Sequence, residues 1–363
     1  MYDSHAELNT FFTNHVRLGK EKEILRDYRD CNIERLKDGL KALGYKRPVR
    51  TCNQGSYAMG SLNQRPENNP ELDYDIDVAT IFRREDLPES PLDARQRVLE
   101  GILEGGGNFR RTPKARTNAV TVWYQEGYHV DLAVYRIHTD SFGFETIEHA
   151  GVGWVSRNPV QITDWFSATN SRLSPTSDLG ATVAPGQLCR VVRLLKYFSR
   201  SRASWNLPGG FIITALVAMR YSADYYRDDV ALYKTMESIR NYLCYTSEVL
   251  NPVEPLQSLT YKDEYRNQVR RLKDKLDEAL DWLSPLFGSQ CDSTEAAKTW
   301  NKIFHHSYWV SLAEQEEAKA RGQALRQAGL SSSLYVTQSG QVLTQKPQER
   351  AVNIPPHRFY GEE

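Results

Sequence analysis

The stretch that most constrains this chain is Tyr74-Asp75-Ile76-Asp77-Val78-Ala79-Thr80-Ile81-Phe82, a β-branched run carrying two carboxylates one residue apart. Residues i and i+2 of a strand share a face, so Asp75 and Asp77 point one way while Ile76 and Val78 point the other. Two carboxylates side by side repel unless a positive group lies between them, and a divalent cation meets that need. A polar strand edge in water is the competing reading. Upstream, Gln54-Gly55-Ser56-Tyr57-Ala58-Met59-Gly60-Ser61 holds two glycine–serine pairs. Gly55 permits close backbone approach to a dense anion such as a nucleotide triphosphate, exposed N–H groups supply donors, and the Ser56 hydroxyl adds another. An ordinary polar loop looks the same in isolation; its place ahead of the Asp-x-Asp strand favours the phosphate role. Gly60-Ser61 reads as a packing feature.

A second pair of strands is expected at residues 120–124 and 128–135, joined by the Gln125-Glu126-Gly127 turn. Val130, Leu132 and Val134 share one face; His129, Asp131, Ala133 and Tyr135 share the other. An aspartate inside an otherwise apolar strand needs a partner, because burying a lone carboxylate is costly. Asp73 lies on the face of Asp75 and Asp77 and reads as a flanking charge, not a ligand. Three strand carboxylates behind a glycine–serine loop resemble the pattern of the polymerase-β-like nucleotidyltransferases.

The 363 residues, 40% of them hydrophobic, suffice for one large or two intimate domains. The 46 basic and 46 acidic residues cancel, which speaks against an extended nucleic-acid surface. Cys31, Cys52, Cys189, Cys244 and Cys291 are odd in number and scattered, without a Cys-x-x-Cys pair. That argues against a zinc site or disulfide framework and for a reducing compartment. No apolar signal core opens the chain and no run reaches bilayer-spanning length, so a cytoplasmic protein without membrane contact is expected.

Strands concentrate before residue 140 and helices after it, which predicts an α+β fold. We expect a sheet-bearing lobe over 1–150 with a brace helix at 21–43, a mostly helical lobe over 151–330, and a flexible, proline-interrupted tail over 331–363. Leu25, Tyr28, Ile33, Leu36, Leu40 and Leu43 recur at helical spacing in the brace, with Gly44 as its C-cap. Another helix is expected around 93–104. Arg110, Arg111, Lys114 and Arg116 read as a solvated basic face, with a contact to an acceptor nucleotide as the alternative. Residues after 137 read as a connector and 167–185 as loop. The helix at 186–202 sets Val191, Val192, Leu194, Leu195 and Phe198 on its apolar side and Arg193, Lys196 and Arg200 along one basic stripe. Arg200 is expected in solvent, whereas Lys196, flanked by apolar residues, is directed into a cleft. Further helices are expected at 211–220, 229–245, 262–283 and 293–321. His305 and His306, as neighbours on that last helix, would diverge by about 100° and could not chelate one ion.

Gln54-Gly55-Ser56, Leu62-Asn63, Asp75-Ile76-Asp77 and His129-Val130-Asp131 together resemble the bacterial CD-NTases, the cGAS/DncV-like nucleotidyltransferases of CBASS antiphage defence. Trp154-Val155-Ser156-Arg157-Asn158-Pro159, Asp164-Trp165-Phe166 and the segment from Arg190 to Trp205 with Lys196 are similar to the DncV branch, in which a helix lysine reaches the donor triphosphate. The similarity runs in order over residues 20–285. It departs at Gly209-Gly210-Phe211, where that branch carries serines that touch a nucleotide base.

The resemblance implies a bilobed fold, a mixed β-sheet catalytic lobe packed against a helical lobe. It implies a cyclic oligonucleotide synthase that joins NTPs, ATP and/or GTP, by attack of a 3′-hydroxyl on an α-phosphate with pyrophosphate leaving. Ring closure would yield a second messenger such as cGAMP or another cyclic di- or trinucleotide, read by a downstream effector. In that scheme Asp75, Asp77 and Asp131 hold two Mg²⁺ ions, with Mn²⁺ as the alternative, and Asp131 receives the hydroxyl proton. Gln54, Gly55, Ser56 and Lys196 bind the nucleotide, and Tyr57 either stacks on a base or packs. By analogy, the C-terminal Gly361-Glu362-Glu363 is compatible with conjugation by a ubiquitin-transfer-like partner.

Three competing readings stay open. The first is a linear oligoadenylate-type or other template-independent nucleotidyltransferase; a tailing enzyme would show a basic surface that the zero net charge does not offer. An inactive nucleotide-binding interaction module usually loses one carboxylate, and here all three stand. A structural protein with polar strands would leave the coincidence of these motifs unexplained.

Overall fold

The alternation along residues 74–83 becomes the centre of a mixed sheet in the computed structural model, which describes residues 1–176, 186–330, 334–337, 339–345 and 351–354. The chain divides into two units, one over Asp3–Asp281 and one comprising Met1–Tyr2 with Trp282–Glu363.

The first unit opens with α1 (His5–Phe11) and the brace helix α2 (Glu21–Ala42), followed by β1 (Arg50–Gln54), the single turn α3 (Gly55–Ala58) and β2 (Tyr74–Arg83). Next come α4 (Pro91–Glu104), β3 (Arg111–Ala115), β4 (Val120–Trp123), β5 (Tyr128–Thr139), β6 (Glu145–Ala150) and β7 (Trp154–Ser156). The sheet order is β1-β2-β5-β4-β3, with β6 added to β5 and β7 to β6. β2 and β5 run parallel and the other pairs antiparallel. Residues 138–156 thus extend the sheet with two more strands where a connector was expected. The Glu145-Thr146-Ile147-Glu148-His149 alternation is polar on both sides until its last residues become buried, which hides its strand character.

One sheet face is the core. Ile76, Val78, Val130, Leu132 and Val134 are fully buried with Leu25, Leu36 and Leu40 of α2 and Val98 and Ile102 of α4. The two helices meet backbone to backbone at Gly39, where a Cβ would lie 1.9 Å from the Gly101 carbonyl oxygen. Ser90 caps α4 by accepting the Asp93 N–H at 3.3 Å, with Pro91 in the first turn, where its missing N–H costs nothing. The opposite face carries Asp75 and Asp77 at one end and a smaller apolar cluster of Ala79, Ile81, Tyr135 and Ile137 beyond them.

The helical part of this unit comprises α5 (Gln161–Leu173), α6 (Gln187–Arg200), α7 (Gly210–Arg220), α8 (Asp228–Leu243) and α9 (Asp263–Leu283). Residues 167–173 belong to α5, although Ser, Thr and Asn make them look like loop; Phe166 and Thr169 bury one side and hold the helix. Residues 177–185 lie outside the described part. α6 is nearly enclosed, packed on α7 and α8. Its basic residues Arg190 and Arg193 are satisfied within the protein. Arg190 pairs with Asp228 at 2.5 Å, and Arg193 donates to Asn63 Oδ1 at 3.1 Å and the Leu62 carbonyl at 2.9 Å.

In the second unit, α10 (Ser293–Phe304) and α11 (Ser307–Leu330) replace the single helix expected there. His305 adopts a left-handed conformation (φ 50°) and ends α10, while Asn301 Oδ1 accepts the His306 N–H at 3.2 Å. Trp300, Phe304 and Trp309 stack across the break at centroid distances of 5.8–6.2 Å. The expectation that both histidines lie on one helix therefore fails at His305. The tail, where described, pairs β8 (Leu334–Thr337) with β9 (Val342–Leu343) and β10 (Ala351–Ile354). The C-terminal residues 355–363 lie outside the described part. Among the described residues no helix is long and apolar enough to cross a membrane.

Candidate active site

Parallel pairing of β2 and β5 sets Asp77 beside Asp131 and Asp75 beside His129. Antiparallel pairing of β1 sets Gln54 beside Asp77. The chain then turns at Gly55 (φ +63°) into α3, and a Cβ there would lie 1.9 Å from Asp77 Oδ2. The Asp77 carboxylate rests on the backbone of Gly55, and only glycine leaves that space. These elements floor a cavity of about 690 Å³, a size that suits a nucleotide. Gln54, Gly55, Ser56, Asp75, Asp77, Asp131 and Lys196 all line it.

Two of the expected nucleotide contacts are placed differently in detail. The Gln54 side-chain amide donates to Tyr135 Oη at 2.9 Å and to the Pro159 carbonyl at 3.1 Å, so it ties α5's approach to the sheet. Tyr57 is not among the lining residues; its ring packs, partly buried, against the core cluster. The basic stretch 110–116 also stays outside the lining. Arg111 and Arg116 cover the Trp123 ring at 3.9 and 5.0 Å, and Arg110 reaches Asp73 at 3.7 Å.

The acidic floor is electrostatically uneasy. Burial first, then the charges of Asp75 and Asp131, push the Asp77 carboxyl up to about 8. Burial also raises Asp75, with His129 opposing and Asp131 adding to the rise. Among the described residues Asp131 Oδ1 is buried without a hydrogen-bond partner, while its Oδ2 stands 3.9 Å from His129 Nε2. These are hard oxygen donors short of positive charge, the chemistry a divalent cation fits. They are not drawn into a closed shell, since among the described residues no three His, Cys, Asp or Glu side chains stand at metal-binding spacing.

The opposite wall is basic. Lys196 is 8% exposed, donates to Ser61 Oγ at 2.9 Å, and is drawn down to about 8 by burial. Ser61, fully buried, is thus the anchor of Lys196, so Gly60-Ser61 has a role that a packing reading missed. Gly210 leaves the amine its room, because a Cβ there would meet Lys196 Cε at 3.3 Å. Arg200, expected in solvent, lines the same cavity. Its signal was present in sequence, four residues on from Lys196, but a basic stripe alone does not say which face is enclosed. His149 and Asn118 complete one side, the His149 ring bonded through Nε2 to the Asn118 carbonyl at 2.8 Å.

Residues 49–135 match the family described as the nucleotidyltransferase domain of Cyclic GMP-AMP synthase DncV-like proteins. Three solved structures share the fold. E. coli MS115-1 CdnC with ATP is 18% identical, with 84% of this chain and 98% of that one covered at a TM-score of 0.60. The Vibrio cholerae DncV cyclic AMP-GMP synthase is 16% identical, with 84% and 96% covered at 0.62. The Bradyrhizobium diazoefficiens CD-NTase CdnG with GTP is 15% identical, with 86% and 98% covered at 0.59. The mixed α+β architecture is that of the DncV-like, polymerase-β-type nucleotidyltransferases.

Proposed function

We propose that this chain, whose residues 49–135 form a DncV-like nucleotidyltransferase domain, is a cyclic oligonucleotide synthase acting on nucleoside triphosphates. The observation that carries the reading is one cavity of about 690 Å³ with three strand carboxylates on its floor and Lys196 on the facing helix. A nucleoside triphosphate held by divalent cations complements both walls at once.

Asp75, Asp77 and Asp131 would hold those cations, Mg²⁺ with Mn²⁺ as the alternative. Bound there, the metal supplies charge neutralisation for the phosphates and a more acidic acceptor hydroxyl. The chain's own groups do the rest. The N–H groups at the start of α3 and the Ser56 hydroxyl offer donors to the phosphate tail. Lys196 has one N–H left after its two contacts to Ser61 and adds positive charge from the helical side. The uncommitted Asp131 Oδ1 accepts the proton of the attacking 3′-hydroxyl. Pyrophosphate leaves, and a second transfer on the turned linear product closes the ring.

In this reading the product is a second messenger for a downstream effector in CBASS antiphage signalling, made in the cytoplasm. Conjugation of the C-terminus by a ubiquitin-transfer-like partner belongs to the same proposal, and concerns Gly361-Glu362-Glu363, outside the described residues. The test is incubation of purified protein with all four NTPs and Mg²⁺, phosphatase treatment, then mass spectrometry. A phosphatase-resistant cyclic di- or trinucleotide is expected and identifies the bases. A ladder of linear products with phosphatase-sensitive 5′ ends would move the chain to the non-cyclising synthases.

A further inference from the structure

The basic residues of α6 fall into a graded series. Arg190 has the carboxylate of Asp228, Arg193 has Asn63 and two backbone carbonyls, and Lys196 has Ser61. Arg200, the last, lines the cavity, and among the described residues its guanidinium donates no hydrogen bond and Asp75 is the counter-charge acting on it. Its backbone is fixed, because its carbonyl accepts from Asn69 Nδ2 at 3.1 Å. Lys196 and Arg200 are four residues apart on one helix face, about 6 Å along the axis, and they repel each other. Arg200 is only partly buried, so its guanidinium is open to the cavity and to an anion there, and the like-charged pair with Lys196 favours such an anion. Gly210, beside Lys196 in the lining, brings no side-chain acceptor. The cavity has carboxylates on the strand side and Lys196 and Arg200 on the helix side, with Arg65 and Arg157 from non-helical segments also in its lining.

We propose that Arg200 is a second phosphate-binding residue, which with Lys196 forms a two-point cationic clamp for the polyphosphate tail of the substrate. This rests on the nucleotidyltransferase reading of the same cavity, but makes a separate claim about which side chain reads the tail. Arg200 offers a forked donor set that suits phosphate oxygens, whereas Lys196 acts as a point charge. The clamp discriminates by tail length, because a monophosphate cannot engage both cations and the Gly55–Ser56 donors together.

The experiment is calorimetric binding of ATP, AMP and inorganic tripolyphosphate, in Mg²⁺, to the full chain and to its Arg200→Gln and Arg200→Lys variants. Arg200→Gln is expected to weaken ATP and tripolyphosphate by roughly tenfold to a hundredfold, the range for a charge-assisted contact, and AMP by less than about threefold. Arg200→Lys should recover part of that loss. The thermal midpoint of Arg200→Gln should equal or exceed that of the parent, because the repulsion between Arg200 and Lys196 has been removed. Equal weakening of ATP and AMP, unchanged tripolyphosphate binding, or a fall in the midpoint would each overturn the assignment and make Arg200 a structural residue. Binding is read without turnover. A chain that grips tripolyphosphate through Arg200 yet makes no cyclic product would sink the synthase reading and leave the clamp standing. A synthase whose Arg200→Gln variant binds ATP normally would do the reverse.

Discussion

Gly55→Ala separates two things that the site asks of one residue. The backbone there is left-handed, at φ +63°, and a methyl group would lie 1.9 Å from Asp77 Oδ2 and 3.0 Å from its Cγ. Left-handed geometry costs an L residue roughly 1–2 kcal/mol. In a unit of this size each kcal/mol lowers the melting midpoint by about 2–4 °C, so a fall of roughly 2–8 °C is expected from the backbone alone. The clash adds little further instability, because the atom struck is the end of a side chain that can turn away. It adds a functional loss instead. Asp77 must leave the position from which it faces Asp131, and misplacement of about 1 Å at a reacting centre costs on the order of a hundredfold in rate. NTP turnover corrected for folded fraction, alongside urea unfolding, reads both. A double-mutant cycle with Asp77→Ala isolates the contact. In the Asp77→Ala background, Gly55→Ala should cost only the backbone penalty. Turnover of Gly55→Ala within about threefold of the parent would refute the reasoning, because about a hundredfold loss is expected from the displaced carboxylate.

Three further predictions address the charges and the core. Asp77 ionises near 8 in the fold against 3.8 ordinarily, so without metal the native state keeps protons that the unfolded state has released. Stability in EDTA should therefore fall as pH rises from about 4 towards 8, and Asp75→Asn with Asp77→Asn should flatten that slope, raise the midpoint at pH 8 and abolish turnover. An unaltered slope or surviving turnover would contradict the metal-site assignment. Lys196 is drawn down to about 8, charged below that pH and neutral above it. NTP affinity of the parent should decline as pH passes through 8, while Lys196→Arg, which keeps its charge, holds affinity level from pH 7 to 9; a parent profile as flat as the variant's would remove Lys196 from phosphate binding. Gly39→Ala would set a methyl 1.9 Å from the Gly101 carbonyl oxygen and 2.8 Å from the Gly105 nitrogen, both backbone. α2 and α4 must separate, at a cost of about 1–3 kcal/mol or more, so the urea midpoint should drop while turnover per folded molecule stays within about twofold.

What was legible in the sequence is what periodicity of two can encode. It assigned Asp75 and Asp77 to one face and Ile76 and Val78 to the core, and the same rule sorted Asp131 from Val130 and Leu132. Period alone does not state register, and the pairing of Asp77 with Asp131 exists only through the parallel alignment of β2 and β5. Helical residues were harder, because four basic positions on α6 look alike in sequence. Their difference arises from what packs against each, Asp228, Asn63, Ser61 or the cavity itself. α5 was hidden by its Ser, Thr and Asn content, and the break at His305 by the absence of a glycine at its left-handed position.

These limits share one physical origin, and it bears on the chemistry. Neither wall of the cavity is stable as a free-standing arrangement: the carboxylates raise one another, and Lys196 and Arg200 repel. Each is tolerated because local packing holds it, the aliphatic face of β2 and β5 in one case and the enclosed α6 in the other. Asp75 offsets part of the charge of Lys196 and Arg200 across the cavity, and a ligand that is both metal-binding and polyanionic offsets the rest. A nucleoside triphosphate carrying divalent cations meets both conditions. A free cation would relieve only the strand side, and a bare anion only the helix side. On that argument metal and tripolyphosphate should bind with positive cooperativity, each tightening the other by the same factor. Independent binding, read as a tripolyphosphate affinity unchanged between EDTA and saturating Mg²⁺ after correction for metal–phosphate association in solution, would show that the two walls serve different ligands.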